Sequence, residues 1–292
     1  MSGQNIMGRT ALVDGHPEGA PGTESNSARG RVRLRTVALP VEHGGWSLTL
    51  EPVALGLMVA PSAAGLLLAA ATAGAFLARH PFKIVAADRR RGRRFPRTAA
   101  AERFLLLYGG VALASALAAA ATAGSYVFFL PLLAALPLVS TQLAFDAAGR
   151  GRALTPELLG SVGLAAVSAS IALAGGLPLP ASLGLWAVLA GRAAPSILYV
   201  RARLRLLHGQ APSALPTVVA HVLALVLVAQ LARAGVAPPA AAAALLLLLL
   251  RAAAGLYAAG AGGSAKRVGL YEIGYGAVTV IAVAVGYLHK PW

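Results

Sequence analysis

The 292-residue chain is 58% hydrophobic and only 12% charged, with a mean hydropathy of +0.71, which excludes an ordinary soluble domain and points to an integral membrane protein. It holds no cysteine, so disulfides, thiolate metal sites and cysteine nucleophiles are excluded. A net charge of +15 would by itself suit nucleic acid, but the basic residues cluster at the edges of apolar runs, so a bilayer and its anionic lipids are the expected partner and nucleic acid is not.

Residues 1–37 are polar, rich in Gly and Ser, and end in Arg29, Arg31, Arg33 and Arg35. They read as a disordered basic cytoplasmic tail, because Arg just before a first span holds a terminus inside. Residues 38–292 read as a helical transmembrane domain. Apolar stretches of the length that crosses a bilayer lie near 43–60, 62–80, 100–122, 125–144, 155–175, 181–201, 213–233, 237–258 and 268–288. The fold class is therefore all-α, a polytopic membrane protein of about nine helices. With that number, Lys and Arg in the tail, in 79–103, at Arg150 and Arg152, at Arg201, Arg203 and Arg205, and at Lys266 and Arg267 all fall on one side. Positive-inside bias then puts the N-terminus in the cytoplasm and the C-terminus outside the cell (inner) membrane.

The first span opens with Glu42, His43 and Trp46 and carries a second carboxylate, Glu51, within it. An ionisable side chain at membrane depth is expensive, so it lines a cavity or finds a partner. Helical rise puts Glu51 roughly 12 Å from the start of its span, Arg192 roughly 14 Å from Arg201, and Glu272 roughly 6 Å from Lys266 and Arg267. Together with Arg79, His80 and Lys83 at the end of the second span, these residues outline a polar cavity open to the cytoplasm and walled by spans 1, 2, 6 and 9. Arg192, Ser196 and Tyr199 are spaced to share one helix face that leads into it. His43, Glu42 and Glu51 are the candidate catalytic residues: His43 suits acid–base work near neutral pH, and with Glu42, Glu51 or Glu272 it could instead hold a divalent metal. The other reading is structural: Glu51 or Glu272 paired with Arg192 to fix helix packing, and Glu42 and His43 as an interfacial pair beside Trp46. Arg251 has no acid in its own span; it either snorkels or meets Glu102 or Glu272, and it has no assigned role.

The segment "RHPFKIVAADRRRGRRFPRTAAAERF" is the densest signal. It reads as a short interfacial helix breaking into a basic loop, and its guanidinium groups suit phosphate, although a basic loop also serves topology alone. The chain lacks GxSxG, Walker, HExxH and dinucleotide motifs, so hydrolase, ATPase, zinc-protease and Rossmann functions have no support.

"PVEHGGWSLTLEP", the basic segment above, "GRAAPSILYVRARLRLLHG" and "KRVGLYEIGYGAVTV" together resemble the YwiC-like family over residues 38 to about 288. More distantly, nine helices with polar loops after the second and sixth resemble the UbiA-type prenyltransferase architecture. That resemblance implies aspartates in the two loops that hold magnesium and an isoprenyl diphosphate. Here the first loop keeps only Asp88, beside Arg97, and the second has arginines, Arg201 among them, so magnesium is a doubtful cofactor. Arginines can stabilise a diphosphate directly. The expectation is a degenerate or metal-independent prenyltransferase-like protein that binds a phosphorylated isoprenoid lipid or phospholipid in the cytoplasm-facing cavity, or else a non-catalytic transporter for an anion or proton.

Overall fold

The computed structural model describes residues 34–40, 43–257 and 264–290, without the side chain of His43. All regular structure among them is helical. A five-residue helix α1 (Leu34–Ala38) precedes nine longer ones: α2 (His43–Val59), α3 (Ala63–Arg90), α4 (Pro96–Thr122), α5 (Phe129–Ala147), α6 (Leu154–Ala174), α7 (Leu179–Leu207), α8 (Leu215–Arg233), α9 (Pro239–Tyr257) and α10 (Ala265–Leu288). Eight of them, α3 to α10, are long and apolar enough to cross a membrane, whereas α2 has only 17 residues. The last residues of the expected tail pack on the bundle: Val37 is buried, as is the following Ala38, and His80 Nε2 lies 3.0 Å from the Thr36 carbonyl oxygen.

Local chemistry sets the helix ends. Ser62 accepts from Gly65 N–H at 2.9 Å to cap α3, and Ser264 caps α10 by accepting from Arg267 N–H at 3.3 Å. At the far end of α8, Gly235 takes φ 77°, and Val236 N–H turns back onto the Leu231 carbonyl at 2.8 Å, closing the helix. Between helices, small residues permit close approach. Gly74 of α3 faces α4 so tightly that a Cβ there would lie 2.9 Å from Ala112 N and Tyr108 O.

The bundle buries α2 against α6, α10, α3 and α7. Leu55, Leu185, Val188, Leu248 and Val283 form the main core, and Leu68, Phe128 and Ile171 a second one. Leu106, Leu113 and Leu117 of α4 point outward, which suits a lipid surround.

The basic segment differs from its expected form. Helix α3 continues through Pro81 to Arg90 with no separate interfacial helix, and only residues 91–95 turn before α4. The reason is Asp88, which is fully buried. Its carboxylate accepts from Arg97 Nη2 at 2.8 Å and Nε at 3.3 Å and from Thr98 Oγ1 at 2.8 Å, clamping the first turn of α4 onto the last turn of α3. Asp88→Ala is expected to destabilise this hairpin by about 1–3 kcal/mol, since Thr98 loses a buried acceptor while Arg97 can still reach water. Faster protease cleavage in 91–95 would report it.

Candidate functional site

Three helices supply the centre. Ser47 and Glu51 stand one turn apart on α2, and Ser47 Oγ donates to Glu51 Oε1 at 2.7 Å. Arg192 of α7 meets the same oxygen at 2.9 Å. Its Nη2 also donates to the Glu272 carbonyl of α10 at 3.1 Å. Glu51 and Arg192 are 8% and 3% exposed, so neither charge has bulk water to fall back on. Gly276, one turn beyond Glu272, leaves room for the pair, because a Cβ there would collide with Glu51 Oε1 and Arg192 Nη2.

A second pair lies alongside. Arg251 of α9 is bonded to the Glu272 carboxylate. Its Nη2 also reaches Ser196 Oγ at 3.4 Å. Its guanidinium sits over Tyr199 at 4.1 Å and Tyr275 at 5.2 Å from the ring centroids. The Nε atoms of both Arg192 and Arg251 are buried with no hydrogen-bond partner among the described residues. The four charges thus join α2, α7, α9 and α10 into one network. In water such pairs contribute little, but here each partner removed would leave a buried charge.

Two cavities border this network, and a third adjoins the first of them. The first, about 860 Å³, lies between α2, α6, α7 and α10. Leu48, Ile197, Val200, Leu270 and Ile273 make aliphatic walls, Arg192 and Glu272 stand at one end, and Arg201, Glu157 and Lys266 at the other. The second, about 350 Å³, lies between α7, α9 and α10 and shares Glu272 with the first. The third, about 730 Å³, is reached by α2 to α7 and adjoins the first at Leu48, Glu157 and Ile197.

The expected single cavity is therefore divided. Arg192, Ser196, Arg201 and Glu272 line the first cavity, while Tyr199 lines the second. Arg79 and Lys83 line the third. There Arg79 grips the buried Asp146 with two bonds, at 2.6 and 3.1 Å. Arg201 Nη1 is held by Glu157 at 2.5 Å. Asp88 and Arg97 belong to the α3–α4 clamp, and His80 to the contact with α1. Glu42 and the His43 side chain lie outside the described residues. Sequence reasoning left Arg251 without a role and did not single out Gly276, Tyr275 or Asp146. An arginine alone in an apolar span was the available signal, and a glycine one turn from Glu272 a second.

The magnesium arrangement of the UbiA-type enzymes does not fit these residues. The Asp88 carboxylate already accepts three hydrogen bonds from Arg97 and Thr98. Among the described residues no three His, Asp or Glu side chains come together as a ligand set.

No curated protein and no solved structure matches the chain. A family model described as YwiC-like protein matches residues 39–174, which end with α6, so α7 to α10 lie beyond the matched segment. Over that segment the chain is similar to the YwiC-like family, and its apolar helical architecture is that of a multi-pass membrane protein.

Proposed function

We propose that the chain binds an amphipathic anion, a phosphorylated isoprenoid lipid or a phospholipid, in the first cavity, with its arginine-rich end on the cytoplasmic face of the cell membrane. The observation that carries this reading is the cavity's division of labour: aliphatic walls for a hydrocarbon tail, and cations at both ends for a phosphate. Its volume of about 860 Å³ is in the range of ligand sites for small molecules. Exposed Lys266, at the mouth, has no ion-pair partner among the described residues. Arg201 beside it is already shared with Glu157. Binding needs no metal, because the cations take the place of the missing carboxylate–magnesium set.

Gly269 supplies the test. It lines the cavity, and a Cβ there meets nothing within 4 Å, so Gly269→Phe fills the tail's place without a clash at the helix. Detergent-purified protein is titrated with geranylgeranyl phosphate, geranylgeraniol and phosphatidylglycerol in the presence of a chelator. The phosphate is expected to bind well ahead of the alcohol, to be lost in Gly269→Phe, and to weaken about fivefold in Lys266→Ala, the effect of about 1 kcal/mol for one basic residue. Phosphatidylglycerol binding instead identifies a phospholipid. Undiminished binding in Gly269→Phe, or none to either lipid, overturns the reading.

One observation favours the transporter alternative: Glu272 lines two cavities at once. It predicts anion or proton flux in proteoliposomes that Glu272→Gln abolishes.

A further inference from the structure

The second cavity has a different chemistry from the first. It runs from Leu207, Ser264 and Arg267 near the helix ends to Arg251 and Glu272 inside. The eight helical steps from Ser264 to Glu272 make it roughly 12 Å deep. Three arginines line it, Arg203, Arg251 and Arg267, against one glutamate, Glu272, which leaves a formal excess of two positive charges. Three tyrosines, Tyr199, Tyr271 and Tyr275, complete the wall.

We infer that this cavity is a binding site for a phosphate-type dianion, separate from the lipid-tail cavity. Two excess positive charges in a space of about 350 Å³ match a small doubly charged oxyanion rather than a long chain. The donors are also uncommitted where they count. Arg251 is 8% exposed, and its Nε has no partner among the described residues. The guanidinium of Arg267 makes no ion pair there, and the hydroxyls of Tyr199, Tyr271 and Tyr275 make no hydrogen bond there. Arg203 is anchored through Nη1 to the Gly255 carbonyl at 3.0 Å, which holds its fork at the cavity wall. Gly255 itself is bare for a reason: a Cβ there would strike the Tyr199 hydroxyl. A buried arginine with an idle N–H, a second anchored arginine, an exposed one at the mouth and phenolic donors are what a tetrahedral oxyanion needs, since forked guanidinium groups meet phosphate oxygens in pairs. The Arg251–Glu272 pair supplies the site's adjustable part. An oxyanion at Arg251 competes with the Glu272 carboxylate, which also walls the first cavity, so occupation of one cavity reaches the other through a single side chain.

The phosphate can be free or the headgroup of a lipid, and the experiment separates these sources. The purified full-length protein is titrated calorimetrically with inorganic phosphate and, separately, with short-chain phosphatidic acid. Variants Arg267→Ala and Tyr271→Phe alter exposed residues and leave the buried network intact. Expected is saturable binding of at least one probe that weakens about tenfold or more in Arg267→Ala, weakens measurably in Tyr271→Phe, and is unchanged in Gly269→Phe and Lys266→Ala. Binding of inorganic phosphate assigns a free anion, and binding of phosphatidic acid alone assigns a headgroup. Absence of binding for both probes in the wild-type protein, or equal weakening by Lys266→Ala and Arg267→Ala, overturns the inference. Because Gly269→Phe acts only on the first cavity, the lipid reading and this one fail separately.

Discussion

Arg192→Ala is expected to destabilise the folded protein by about 3–5 kcal/mol, the cost of leaving a buried charge without its partner. Glu51 would keep only Ser47 as a donor, at 2.7 Å, in a place 8% exposed. The Glu272 carbonyl would lose its 3.1 Å contact as well. The informative comparison is with Glu51→Leu/Arg192→Met. Replacing both charges by apolar side chains of similar size is often neutral or stabilising, so the double variant should recover most of the loss. Reversible thermal or denaturant unfolding in detergent measures both. A double variant as unstable as the single one would mean that the pair has bonds beyond those seen, and a harmless Arg192→Ala would mean that the site hydrates. Binding then separates architecture from function: on the proposed reading the recovered double variant still binds geranylgeranyl phosphate more weakly than wild type, because a cation has gone from the cavity.

The sequence pattern carried most of the architecture. Apolar length and basic loops located α2 to α10, each within the protein where it was expected, because lipid imposes length and composition on every span. The ends were less legible. Helix α3 runs ten residues past its expected end at position 80, since a run of arginines reads as a loop, and nothing local shows that Asp88 will bury itself and reach Thr98, ten residues on. The site was legible in part. Spacing alone placed Arg192, Ser196 and Tyr199 on one face, yet it could not show that Ser196 and Tyr199 serve Arg251, which comes from a helix 55 positions away in the chain. Which of two acids takes which arginine is a tertiary choice, made by Gly276 leaving room beside Arg192 and by Tyr275 flanking Arg251.

That choice explains why the membrane span keeps Glu51. Of the four charges, each carboxylate touches one guanidinium side chain, and Arg192 alone bridges both pairs through the Glu272 backbone. The two pairs are consequently unequal: removing Arg251 leaves the Glu272 carboxylate with no guanidinium but keeps its carbonyl on Arg192, whereas removing Glu51 leaves Arg192 that carbonyl alone.

Gly184→Ala tests packing at the opposite end of α7, away from the Glu51–Arg192 and Arg251–Glu272 pairs. In an ordinary helix interior the change would stabilise by about 0.5–1 kcal/mol by removing backbone freedom from the unfolded chain. Here the new Cβ would lie 2.5 Å from the Val236 carbonyl oxygen and 2.7 Å from the Tyr287 hydroxyl. The carbonyl belongs to the turn that follows Gly235 and cannot swing away as a side chain would. Tyr287 is equally fixed, because its hydroxyl contacts the Ala181 carbonyl at 3.0 Å and the Val236 carbonyl at 3.2 Å. Overpacking of about 1–3 kcal/mol, with part of a buried hydrogen bond lost, outweighs the entropic gain. Net destabilisation of about 2 kcal/mol is expected on these terms. Gly274→Ala on α10 is the matched control, since nothing lies within 4 Å of its added Cβ, and it should stabilise. Unfolding midpoints of the two variants should move in opposite directions. Movement in the same direction would show that α7 and the α8–α9 turn can slide apart, and that the close contact through Tyr287 does not hold this end of the bundle.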